Sequence, residues 1–121
     1  MNSYIVNGKE FIDKAPYLNF WRAPIDNDYG NQLPVRSKQW KVASNKRTLK
    51  SINHEVLGKN VKVSVQYELA NIKSLYTTAY LITPEGEVKI SNDFRYNGRL
   101  VDAEMPRFGM NLQIPKNYSN V

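Results

Sequence analysis

Four side chains in one short stretch have the types and spacing that could do chemistry. The stretch "LNFWRAPIDNDYGN", residues 18 to 31, contains Arg22, Asp26, Asn27 and Asp28, and it follows neither a helical nor a strand period. Two carboxylates two positions apart would suit a calcium loop or the acid pair of a glycosidase. An arginine close to them would instead suit an ion pair.

Spacing argues against both catalysis and metal binding by this stretch. An EF-hand that begins at Asp26 needs glycine at its sixth position and glutamate at its twelfth, but Gly30 is fifth and Ser37 is twelfth. A retaining glycosidase holds its two carboxylates about 5 Å apart, and a two-residue separation in a loop does not secure that geometry. We therefore expect no catalytic residue, no metal ligand and no cofactor site in this chain.

The same stretch suits an architectural role. We expect Asp26 and Asn27 to cap turns with their side chains and Arg22 to pair with a carboxylate. Because loops often carry function, contact of this stretch with a substrate stays open as the alternative. The candidate residues, for architecture or for substrate binding, are Arg22, Asp26, Asn27 and Asp28.

Composition limits the class of protein. A chain of 121 residues is long enough for one domain, residues 1–121, with its own core. The absence of cysteine excludes disulfides and thiolate sites, and leaves a cytoplasmic or a periplasmic location equally open. No apolar run reaches the roughly 20 residues of a membrane span, so we expect a soluble chain without a membrane partner.

The net charge of +6 raises the question of nucleic acid. Basic residues are dense only in "VRSKQWKVASNKRTLK", residues 35 to 50, where Trp40 is a candidate for stacking on bases. Elsewhere the charges alternate along strands and do not gather on one face. We therefore predict a solvated segment and no nucleic-acid partner.

The elements that must position the candidate residues are mainly β-strands. "NVKVSVQYEL" alternates apolar and polar residues without a fault, and "EVKISNDFRY" nearly so, which predicts two half-buried strands. "SLYTTAYLIT" lies between them and is apolar on both faces, so it predicts a more central strand. Asn7-Gly8 indicates a β-hairpin near the N-terminus. His54 is predicted to lie at the surface or on an edge strand. A single short helix is allowed, near Val35 to Val42. Together these signals predict an all-β antiparallel sandwich with at most one short helix.

Two long stretches also carry a resemblance to a known family. "LNFWRAPIDNDYGN" and, much later, "MPRFGMNLQIPKNYSNV" resemble the small-chain domain at the C-terminal end of the β-galactosidases of glycoside hydrolase family 2. The two stretches have the order and spacing of that family, and the resemblance extends over nearly all 121 residues. It implies a supersandwich related to galactose mutarotases, of which this chain would be the N-terminal part, cut short of its last strands. Arg22, Asp26, Asn27 and Asp28 match the family's loop position by position.

The resemblance implies that catalysis happens elsewhere. In the family, both catalytic glutamates lie on a preceding (β/α)₈ barrel, as do sites for Mg²⁺ and a monovalent cation, and terminal β-D-galactosides are hydrolysed with retention. The chain would then be a noncatalytic sandwich portion of a β-galactosidase, with the barrel domain, the β-galactoside and copies of the same enzyme as partners. The alternative is an independent carbohydrate-binding or protein-interaction module that shares the fold.

Overall fold

The computed structural model describes residues 1–97 and 104–118. Within them the chain forms eight β-strands and three short α-helices. The strands are β1 (Ile5–Val6), β2 (Lys9–Glu10), β3 (Lys14–Asn19), β4 (Thr48–Leu57), β5 (Asn60–Leu69), β6 (Ser74–Ile82), β7 (Val88–Tyr96) and β8 (Gly109–Gln113). The helices are α1 (Asp26–Gly30), α2 (Leu33–Arg36) and α3 (Lys38–Asn45).

A four-stranded antiparallel sheet in the order β4-β5-β6-β7 dominates the fold. Each strand follows its neighbour along the chain, so the sheet is the predicted meander. β6 has a strand on either side, and burial alternates along it between Ser74 and Tyr80, as expected for a central strand. β5 and β7 carry apolar residues on one side and polar residues on the other, which confirms their predicted alternation.

A second layer covers part of the apolar side of this sheet. It consists of β3, which pairs with β8, and of helix α3. Phe20 follows β3, and its ring centroid lies 6.0 Å from that of Tyr76 and 5.1 Å from that of Phe94. Trp40 of α3 packs against Phe20 and Phe94 in the same core. The two layers form the predicted antiparallel sandwich.

The helices differ from the sequence expectation in number. At most one short helix was expected, whereas residues 1–97 and 104–118 form three, and α2 and α3 divide at Ser37, which is fully buried. The helix α1 was not expected because a five-residue segment is too short to show a helical period. Within the segment where the helix was expected, 73% of the surface of Val35 is exposed, while only 2% of Trp40 is exposed.

The N-terminal hairpin confirms the local turn signal. β1 pairs with β2 across Asn7 and Gly8, whose φ angles are +51° and +76°. These left-handed conformations at both central positions are those that asparagine followed by glycine tolerates best. Tyr4 and Val6 of this hairpin contact the β6–β7 turn at Gly86.

Candidate functional site

The two motif stretches meet in space, at what we call the motif junction: residues 18–31 together with residues 105–113. Leu18 of β3 is paired with Met110 of β8, and Asn19 with Gly109. Just beyond the paired strands, the ring of Phe20 stacks on that of Phe108 with a centroid distance of 6.0 Å. The last residues of the second stretch, 119–121, lie outside the described residues. The structure therefore joins segments that are about 90 residues apart in sequence.

A buried serine holds the start of the extended segment that follows β3. The backbone N–H of Phe20 donates to Ser44 Oγ at 2.8 Å, and Ser44 Oγ donates to the carbonyl of Trp40 at 3.0 Å. Sequence reasoning missed Ser44 because a serine in a polar helix has no distinguishing signal. Its hydroxyl satisfies a fully buried backbone N–H, so it fixes where the segment begins.

Arg22 and Asp28 form a two-point ion pair across the junction. Arg22 Nη2 donates to Asp28 Oδ1 at 2.9 Å, and Nη1 donates to Oδ2. Asp28 is only 5% exposed, whereas the Arg22 side chain is 36% exposed. A planar guanidinium that meets both carboxylate oxygens gives directional as well as electrostatic stabilisation. The pair closes residues 22 to 28 into a fixed loop.

Asp28 also begins helix α1. Its Oδ2 accepts the backbone N–H of Ile25 at 2.8 Å, and the Asp28 N–H donates to the Ile25 carbonyl at 2.9 Å. This is the N3-to-N-cap half of a capping box, and it satisfies a donor that the helix itself leaves free. The hydrogen bond from Arg22, and then that from Ile25, lower the pKa of Asp28 below its usual value. Asp28 is therefore held as a carboxylate with both oxygens engaged.

Asp26 and Asn27 are separated from this pair. Both lie in the first turn of α1 and are exposed, and neither side chain has a hydrogen-bond partner among residues 1–97 and 104–118. Positions two apart on a helix do not face each other, so Asp26 and Asp28 point in different directions. The structure thus brings together Arg22 and Asp28 of the four candidates and leaves the other two at the surface. The expectation that Asp26 and Asn27 cap turns with their side chains is wrong among the described residues.

The outer surface of the junction is partly apolar. Ile25 is 58% exposed and Tyr29 is 64% exposed, and both flank the exposed Asp26 and Asn27. Trp21 is half-buried, and the ammonium of Lys41 lies 5.7 Å from the centroid of its ring. Trp21, Ile25 and Tyr29 lie in or next to the loop that the Arg22–Asp28 pair closes.

Two other candidate features lie apart from the junction. Trp40 is a core residue, so it offers no face for stacking on bases. His54 lies exposed on β4, which is an edge strand, as predicted. In the described ranges no three histidine, aspartate or glutamate side chains gather where they could hold a metal ion. No helix of residues 1–97 and 104–118 has the length and apolar character needed to cross a membrane.

Comparison with known proteins finds relatives over nearly the whole chain. The β-galactosidase of Streptococcus thermophilus is 30% identical over 116 residues, which are 95% of this chain and 11% of that protein. The β-galactosidase of Priestia megaterium is 36% identical over 109 residues, 89% of this chain and 10% of the relative. The β-galactosidase small subunit of Latilactobacillus sakei is 28% identical over 131 residues, 91% of this chain and 41% of the subunit.

The chain thus spans between 10% and 41% of the length of these relatives. The family described as "Beta galactosidase small chain" matches residues 1–121. That match covers both motif stretches and the meander between them. The chain belongs to the β-galactosidase small-chain family.

Proposed function

We propose that this chain is a noncatalytic sandwich portion of a β-galactosidase that hydrolyses terminal β-D-galactosides with retention. Its family and the names of its relatives support a β-galactosidase component. The relatives are up to about ten times longer than the stretch that they share with it, so they have ample chain for a separate catalytic domain. The part proposed for this chain is to support that domain.

The observation that carries the proposal is the hydrogen bonding of the Asp28 carboxylate. Both of its oxygens accept hydrogen bonds from Arg22 and one also accepts from Ile25, so neither is available to attack a sugar or to exchange a proton. The second carboxylate of the stretch, Asp26, lies exposed on another side of the short helix. A retaining glycosidase needs two carboxylates about 5 Å apart that face one substrate.

The role of the motif junction would then be structural. The ion pair fixes a loop that presents Ile25 and Tyr29 to the outside, and exposed apolar side chains on a rigid loop suit contact with another domain. The partner we propose is the catalytic barrel domain of the same enzyme. Any Mg²⁺ or monovalent cation would be held by that domain, as the resemblance to the β-galactosidases of glycoside hydrolase family 2 implies.

An assay of the isolated chain tests the noncatalytic assignment. The 121-residue chain is incubated with a chromogenic β-galactoside next to a heat-inactivated sample, and we expect equal rates in both. Hydrolysis above the control that disappears in both Asp26→Asn and Asp28→Asn would overturn the proposal. The control variant Asp93→Asn changes an exposed carboxylate on β7, outside both motif stretches, and separates a specific loss from a general effect of charge.

A portion of a larger enzyme and an independent module differ in whether the chain acts alone. An independent carbohydrate-binding or interaction module would bind its ligand alone, whereas a structural portion acts only within the enzyme. Binding of galactose or lactose by the isolated chain, measured by calorimetry, would favour the module. The absence of such binding is the result we expect.

A further inference from the structure

The first residues of the chain are fixed by one carboxylate. Glu10 Oε1 accepts the backbone N–H of Tyr4 at 2.8 Å. The same oxygen accepts the backbone N–H groups of Phe11 and Ile12, each at 3.1 Å. Glu10 Oε2 accepts a hydrogen bond from the hydroxyl of Ser3. A single half-buried side chain at the end of β2 therefore holds residues 3 and 4 against residues 11 and 12.

The segment that Glu10 holds reaches two other parts of the fold, and we call residues 1–4 the N-terminal strap. The ring centroid of Tyr4 lies 5.6 Å from that of Phe11, and the Tyr4 hydroxyl donates to the carbonyl of Gly86 in the β6–β7 turn. At the other end of the strap, Met1 lines a groove of about 230 Å³ on the apolar side of the four-stranded sheet. The other lining residues of this groove are Ile52, Val63, Val65, Tyr80 and Ile82.

Hydrogen-bond donors, and not a cation, balance the charge of Glu10. No ion pair within residues 1–97 and 104–118 includes this carboxylate. The ammonium of Lys9, its neighbour on β2, lies instead 4.6 Å from the centroid of the Tyr118 ring. The ionisable groups on the elements around the strap are the Met1 amino group, Tyr4, Lys9, Asp13, His54, Tyr80, Glu85, Glu87, Lys116 and Tyr118.

Protonation of Glu10 would break this arrangement. The hydrogen bond from Ser3, and then that from Tyr4, lower the pKa of Glu10 below its ordinary value of 4.5. A protonated carboxyl group uses one oxygen as a donor, so it cannot keep all four of its hydrogen bonds to N–H and O–H groups. The bonds to Glu10 are therefore complete above pH 4.5 and are lost as the pH falls through the lowered pKa.

We propose that Glu10 is an acid-sensitive latch that keeps the N-terminal strap over the groove, and that its protonation releases residues 1–4 and opens the groove while the four-stranded sheet stays folded. The inference goes beyond the proposed function and does not depend on it. The strap can open separately because its hold depends on side-chain oxygens of Glu10, whereas strands β4 to β7 are joined to each other by continuous backbone pairing.

Hydrogen exchange followed by NMR at single amides tests the latch in the 121-residue chain. The amides of Tyr4 and Ile12 report on it, because Glu10 Oε1 is their acceptor. The amides of Val65 and Thr78, which are paired in the middle of the sheet, are the reference. Protection factors, which correct for the intrinsic effect of pH on exchange, are measured from about pH 6 to about pH 3.

We expect the protection of Tyr4 and Ile12 to fall with the pH while Val65 and Thr78 stay protected. Glu10→Gln has no charge and only one acceptor oxygen, so it should lower the protection of Tyr4 and Ile12 about tenfold at about pH 6 and remove its pH dependence. The matched control is Glu55→Gln, which changes an exposed carboxylate on β4 and should alter neither amide by more than about twofold.

The methyl signals of Val63 and Val65 report whether the groove opens, and they should shift in Glu10→Gln much more than in Glu55→Gln. Unchanged protection of Tyr4 and Ile12 in Glu10→Gln would overturn the proposal. Loss of protection at Val65 and Thr78 together with these two amides would also overturn it, since the strap would then not open separately from the sheet. Release of the strap without a shift of the two methyl signals would contradict its place over the groove.

Discussion

At the scale of single residues, the Arg22–Asp28 pair links an unusual motif to the stability of the fold. Nothing in the six-residue separation specifies that these two side chains meet, because residues 22 to 28 have no period that orients them. The sequence did predict that Arg22 would pair with a carboxylate, and that pair is present. It could not predict which carboxylate, since the choice depends on the short helix α1. That the four candidates support the structure and do not contact a sugar stays a prediction.

Loss of the arginine should destabilise the chain clearly. In Arg22→Ala the nearly buried Asp28 carboxylate loses its cationic partner, so we expect the midpoint of thermal unfolding to fall by about 4–8 °C. Arg95→Ala is the control, because the Arg95–Asp93 pair is exposed and should change the midpoint by less than about 2 °C. Calorimetry measures both. An unchanged midpoint in Arg22→Ala would contradict the architectural role.

The pH dependence of stability should carry the signature of Asp28. Its folded-state pKa is lowered by Arg22 and Ile25, so its contribution is complete above the unfolded-state pKa and is lost as the pH falls through the folded-state value. Urea unfolding from about pH 6 to about pH 2 should show a steeper loss of stability in the wild type than in Asp28→Asn. Parallel curves would mean that Asp28 is not preferentially ionised in the folded chain.

At the scale of elements, long strands were the most predictable part and short helices the least. β5, β6 and β7 each have nine or ten residues, enough for a period of two to stand out, and the Asn7-Gly8 turn specifies its own hairpin. α1 and α2 have five and four residues, too few for a helical period, and depend on the Asp28 cap and on packing of Leu33. The pairing of β3 with β8 joins distant segments, which local patterns cannot specify.

Helix α3 packs on the sheet through the aromatic side chain of Trp40. Trp40 contacts Phe20, Phe94 and Tyr96, so Trp40→Ala should lower the free energy of unfolding by about 3–5 kcal/mol. Trp21→Ala removes a half-buried ring and should cost about 1 kcal/mol or less. Chemical denaturation followed by circular dichroism gives both values. Similar costs for the two variants would mean that α3 does not dock through Trp40.

The central strand β6 should make the chain sensitive to alkali. Burial raises the pKa of Tyr76 to about 12, so the folded state keeps its proton where the unfolded state has lost it. The stability that this group contributes is complete below the unfolded-state pKa of 10.0 and is lost as the pH rises toward about 12. Tyr76→Phe should therefore lose less stability over that interval. An equal loss in denaturant titrations would contradict the assignment.

At the scale of the whole molecule, the sandwich brings the two motif stretches together and leaves half of one side of its four-stranded sheet exposed. The family was predictable because its two motif stretches are long. The antiparallel fold was predictable because the long strands show a period of two in the sequence. Which residues of the sheet stay exposed was not predictable, since that depends on what lies across from Val56 and Ile52 in space. Residues 1–121 as one domain, with a role in a larger enzyme, remain a prediction.

Replacement of the corresponding stretch in a relative tests the proposed role in that larger enzyme most directly. The matched 116-residue stretch of the Streptococcus thermophilus β-galactosidase is replaced by this chain, and hydrolysis of a chromogenic β-galactoside is compared with that of the parent and of a deletion that lacks the stretch. We predict that the replacement retains activity within about tenfold of the parent and that the deletion loses it. A deletion that is as active as the parent, or a folded replacement without activity, would contradict the claim.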